Sequence, residues 1–124
     1  MSEYNGSVLA YIGDAVLSLQ VREHLVRKNI SNPKSLLRAS IEYVSAKSQA
    51  NFISYLLEND VLDESEINIY KRGRNYKSSS IAKNADVVSY RMATGLEALW
   101  GYLYLENKSE RLDVLWKSYI EFVE

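Results

Sequence analysis

Cysteine is absent from the 124 residues, so disulfides, thiolate–metal sites and cysteine nucleophiles are all excluded. One proline and five glycines are too few for a loop-rich β architecture, and the dipeptides that turn β-hairpins are missing. No apolar run approaches the ~20 residues that cross a bilayer. The opening "MSEYNGS" lacks the basic head and apolar stretch of a signal peptide. The expectation is one cytoplasmic domain over residues 1–124, with no membrane partner. Strong charge of either sign is also lacking, because the net charge is −1.

That mean conceals a gradient. The stretch "KRGRNYKSSSIAKNADVVSYR" holds Lys71, Arg72, Arg74, Lys77, Lys83 and Arg91 against Asp86 alone. A local basic patch decides binding to polyanions more than the sum over the chain does.

What is present is helical periodicity, and the fold class it predicts is all-α. A first helix is expected over about 8–27. "SNP" then marks a start, with Asn32 as N-cap and Pro33 in the first helical position. The helix that follows should break near Ser45 and resume as "AKSQANFISYLL". "DESE" offers a capping box, Asp63 with Glu66, for a short helix that Gly73 closes. Two more helices should run from about 86 to 105 and from 109 to 123. Between Gly73 and Asp86, "RNYKSSSIAKNA" shows no packing pattern, and a loop of that length inside a compact domain is usually functional or disordered.

Two carboxylates stand out. Asp14 is the one charge between Val8 and Leu17, and the helical wheel offers it no polar face. It is an N-cap after Gly13, half of a buried ion pair, or a functional group, since an unpaired buried charge costs several kcal/mol. Glu97 repeats the setting as the one charge between Met92 and Leu105, with Gly95, Ala98 and Gly101 around it. Small residues beside each acid would let two helices approach until the acids meet. Acids so placed share a proton, pair separately with Arg22 and Arg91, or hold a cation. An oxygen-only donor set suits magnesium or manganese.

"LAYIGDAVLSL" resembles the signature helix of the ribonuclease III family, and "GLEALWGYLYL" resembles its second acidic helix. "YVSAKSQA", "YKRGRNYKS" and "AKNADVVSYR" resemble, in order, segments of the short bacterial form, Mini-ribonuclease III, which lacks a separate RNA-binding domain. The resemblance spans Val8 to the last helix. It implies an all-helical homodimer of the ribonuclease III endonuclease fold that cuts double-stranded RNA with Mg2+, Mn2+ being a possible substitute. It further implies 5′-phosphate and 3′-hydroxyl products and maturation of a precursor ribosomal RNA, the large-subunit (23S) species. Asp14 and Glu97 fall on the signature acids, implied to be catalytic and to ligate the metal. The basic stretch is assigned to RNA contact through Arg72, Arg74, Lys77 and Lys83, with Lys47 and Arg91 as secondary candidates.

The chain departs from the full-length pattern at four places where acids stand in larger relatives: Ser7, Ala10, Thr94 and Gln49. Leu17 and Ser18 stand where the short form commonly has an aromatic and an acid, a departure without a physical explanation. His24 reads as a partly exposed helix residue rather than a base, and the ten tyrosines as packing and subunit-interface residues. The rival reading is a non-catalytic module of the same fold that holds double-stranded RNA or a ribosomal partner.

Overall fold

A computed structural model of the chain describes residues 4–76 and 86–124. Among these, six helices and no strands are present: α1 Gly6–Arg27, α2 Pro33–Val44, α3 Ala46–Glu58, α4 Glu64–Arg74, α5 Val87–Leu105 and α6 Ser109–Val123. The starts follow the side-chain oxygens. Asn5, Asn32, Ser45, Asp63 and Asp86 each accept from backbone N–H groups of the first turn they precede. At α4 the capping box is complete, with Asp63 and Glu66 bonded to each other's backbone. Asn5 starts α1 two residues before the expected Val8.

The stops carry a less obvious device. Asn29, Asp60 and Asn107 take the left-handed conformation just beyond α1, α3 and α5. The next N–H in each case reaches back to close the helix, from Ile30 to Leu25 O, Val61 to Leu56 O and Lys108 to Leu103 O. Glycine usually fills that place. Here all five glycines are instead inside helices, which corrects the expected role of Gly73: it does not close α4 but packs within it against Gly95 and Ala98 of α5.

Helix α5 is the axis, touching α1, α3, α4 and α6. Its Leu96, Leu99, Trp100 and Leu103 are fully buried, each contributing roughly 1.5–3 kcal/mol or more by leaving water. Phe52 of α3 and Tyr119 of α6 complete the centre, their ring centroids 4.4 Å apart. Gln20 accepts from the Trp100 indole N–H at 2.7 Å, so the one polar atom of that ring is satisfied.

The α1–α5 crossing is tighter than side chains permit. A Cβ on Gly13 would lie 1.7 Å from the Glu97 carbonyl oxygen, and one on Gly101 would lie 1.9 Å from that of Leu9. Backbone therefore meets backbone at the point where the two singled-out acids are carried.

The last helix is tied back through Glu124. Its carboxylate accepts from the Tyr43 hydroxyl, meets His24 Nε2 at 2.7 Å and lies 3.2 Å from Lys28 Nζ. The Tyr43 and His24 hydrogen bonds, with Lys28 adding to them, hold Glu124 down to about 2. An acid lowered on folding stabilises the folded state above its unfolded value near 4.5 and loses that contribution as pH falls toward about 2. The thermal midpoint of the wild-type chain is expected to fall more steeply across that window than that of Glu124→Gln. Because the pair is partly solvated, the difference should amount to about 1 kcal/mol or less. Parallel melting curves at pH 5 and pH 2.5 check it, and equal slopes would remove Glu124 from the stability balance.

Candidate active site

Counting back along α1 from Asp14 gives Tyr11, Ala10 and Ser7. The same count along α5 from Glu97 gives Thr94 and Tyr90. These residues, with Tyr76 just beyond α4, line a cleft of about 270 Å³ with both acids in its wall. The glycine crossing brings the two stripes side by side, so the expectation that Asp14 and Glu97 meet is met.

Burial pushes the Glu97 carboxyl up to about 8; hydrogen bonding and charge repulsion from Asp14 add to the rise, and the Gln49 side chain opposes it. Gln49 is only 2% exposed. Tyr119 lies near enough for Glu97 to help burial raise its phenol. The floor of the cleft is thus a glutamate held between an aspartate and a buried amide.

Asp14 itself is a correction. It is exposed, not enclosed among apolar neighbours: Ala10, Leu17 and Val21 on its own stripe are buried, but the face beside that stripe lies open and Asp14 stands at the border between them. Tyr11 is 82% exposed and Leu19 68% exposed, and Ala15 lies open between them. Asp14 sits in the middle of α1, so it caps nothing. Nor does either acid pair with Arg22 or Arg91: the ion pairs among the described residues are His24–Glu124, Arg27–Glu23, Lys28–Glu124, Arg111–Glu66 and Lys117–Asp113.

The donors that converge here are oxygens, and no described residues form a group of three or more His, Cys, Asp or Glu side chains. Two carboxylates in mutual repulsion, with no cationic side chain paired to them among the described residues, fit a hard divalent cation that takes its remaining ligands from water and substrate.

The basic residues divide. Arg72 and Arg74 both stand in the last turn of α4, so Arg74 belongs to the helix and not to the loop expected to begin with it. The Arg72 side chain reaches the Tyr4 carbonyl and that of Arg74 lies over the Tyr70 ring. Lys77 and Lys83 fall outside the described residues. His24 is half-buried between the Tyr43 and Trp116 rings, remote in role from the cleft. The tyrosines Tyr11, Tyr76 and Tyr90 were missed as cleft residues. Their signal was present, since Tyr11 and Tyr90 lie one and two turns before the acids.

The sequence profile of the Ribonuclease III domain family matches residues 7–108. The chain is 51% identical over 120 residues to a Mini-ribonuclease 3 of Streptococcus pneumoniae, covering 97% of this chain and 94% of that one. It is 48% identical over 113 residues to a Mini-ribonuclease 3 of Enterococcus faecalis, covering 91% and 86%. A crystal structure of a protein from Fusobacterium nucleatum superposes with a TM-score of 0.85 at 30% identity, covering 96% of this chain and 93% of that one.

Proposed function

This chain belongs to the ribonuclease III family of double-stranded-RNA endoribonucleases, and we propose that it cuts at the cleft between Asp14 and Glu97. The observation that carries the assignment is the convergence of these two carboxylates, from different helices, with no cationic side chain paired to either among the described residues. Asp14 and Glu97 would hold magnesium, or manganese in its place. Such an ion supplies an activated water and charge neutralisation at the scissile phosphate. Gln49 orients Glu97 from below, while the tyrosine hydroxyls offer neutral donors to phosphate oxygens or 2′-hydroxyls. The Ser7 and Thr94 hydroxyls, which donate to Asn5 Oδ1 and the Tyr90 carbonyl, offer acceptor lone pairs to the 2′-hydroxyls. A-form RNA presents those groups on its accessible face.

Duplex RNA lies, in this reading, across the cleft and along the basic end of α4, gripped by Arg72 and Arg74 together with Lys77 and Lys83. Precursor ribosomal RNA of the large subunit is the substrate proposed. A two-fold homodimer would place one cleft on each antiparallel strand. The open stripe of Tyr11, Ala15 and Leu19 on α1 supports it, because so apolar a surface beside a charged cleft is suited to burial against a second copy.

Incubation with long duplex RNA tests the proposal. Cleavage to 5′-phosphate ends is expected with magnesium and none with chelator. Sedimentation at micromolar concentration should report twice the 14.2 kDa chain mass. Tight magnesium-independent binding without cleavage would establish the rival reading of a silent binding module.

A further inference from the structure

Arg91, only a secondary candidate for RNA contact in the sequence, is left without a partner by the packing and the cleft. Its Nε is buried and has no hydrogen-bond partner, and the side chain enters no ion pair among the described residues. Native proteins rarely leave a guanidinium so placed, since it is always charged and carries five donors. The contrast with Arg111 is instructive. That side chain, also partly buried, gives its donors to both Glu66 oxygens and to the Val61 carbonyl.

The position of Arg91 says what would satisfy it. On α5, Arg91, Gly95 and Ala98 follow one another at helical spacing, and the last two pack on α4 at Tyr70 and Gly73. Arg91 therefore stands one turn nearer the start of α5 on the stripe that meets α4, where α4 ends in Lys71, Arg72 and Arg74. The neighbouring stripe, Tyr90, Thr94 and Glu97, is the wall of the cleft. One helix thus offers carboxylate to the cleft and, beside it, an unspent guanidinium to the basic seam. No described carboxylate takes the charge, so the missing partner is an anion from outside.

We propose that Arg91 binds a backbone phosphate of the RNA adjacent to the one that is cut, fixing the register of the strand over Asp14 and Glu97. This rests on the reading of the cleft as the cleaving site. A planar fork recognises a phosphate through two parallel hydrogen bonds, which a lysine reproduces only as a point charge.

The test is equilibrium binding of a fluorescent RNA duplex without magnesium, over a series of salt concentrations. It compares the wild-type chain, Arg91→Met and Arg91→Lys. Arg91→Met is expected to bind roughly tenfold weaker or more, with a salt dependence shallower by about one phosphate. Arg91→Lys should restore the slope and only part of the affinity. Melting temperatures should match the wild type, because the lost nitrogen made no internal bond. A Met variant with unchanged affinity and slope, beside a wild type that binds, overturns the assignment of Arg91 alone. A variant that melts early or does not fold overturns it too, by giving Arg91 a structural role. A wild-type chain that fails to bind duplex RNA overturns the cleft reading and this one with it.

Discussion

Asp14→Asn is expected to fold normally and to cut duplex RNA at least about a hundredfold more slowly. Two features of the structure separate these outcomes. Asp14 is exposed and enters no ion pair among the described residues, and its hydrogen bond to Glu97 is one that an asparagine amide can still make, so removing its charge costs the fold little. Yet the charge is half of the pair that would hold the metal, and asparagine keeps the shape without it. The neighbour should report the loss directly. Glu97 is raised first by burial and then by Asp14, so its carboxyl should move down from about 8 in the variant. It should remain above the usual range, because burial persists. Cleavage assays, melting curves and a titration followed by carbon NMR on labelled glutamate would measure all three. A variant that cuts at near wild-type rate ends the assignment of Asp14 as a ligand. One that unfolds makes Asp14 a structural residue.

Gly13→Ala should be the most damaging single methyl in the molecule. On an ordinary helix this exchange stabilises by ~1 kcal/mol. Here the new Cβ would lie 1.7 Å from the Glu97 carbonyl oxygen and 2.7 Å from the Gly101 nitrogen, which are backbone atoms and have no rotamer to escape into. The helices must separate, and overpacking of this kind costs about 3 kcal/mol or more. The same displacement carries Asp14 away from Glu97, so whatever protein still folds should have lost cleavage. Urea denaturation of Gly13→Ala and Gly101→Ala checks the sign. Stability equal to or above the wild type would show that the crossing is loose.

The helices were legible because their starts are written locally, in Asn32, Asp63 and Asp86 and in the proline and glutamate that follow. Their ends were less so. Asn29, Asp60 and Asn107 do by a left-handed turn what glycine usually does, and nothing in their composition distinguishes them from surface residues. Freed from the ends, the glycines serve contact, which is why Gly73 was misread as a stop. The meeting of Asp14 with Glu97 could be inferred from the small residues beside each. The exposure of Asp14 could not, since the open apolar face of Tyr11 and Leu19 has the same periodicity as the buried stripe of Ala10, Leu17 and Val21 that it borders. The cleft's tyrosines were recoverable by counting turns back from the acids. Arg91 was visible as a basic residue, but its orphaned nitrogen is a property of packing alone.

The contact of Gly13 with Gly101 also bears on how such an enzyme could be altered. Two backbones in van der Waals contact work as a fixed caliper, and the distance between the acids they carry is not open to gradual adjustment by side-chain exchange. Variation in ion preference or in the strand accommodated must then enter elsewhere. Ser7, Ala10 and Thr94 are the small neutral positions on the cleft wall, on either side of the caliper. Changes there alter charge and shape without touching the gauge. A designer seeking a second ion, or a narrower choice of RNA, would vary those three and leave the glycines alone.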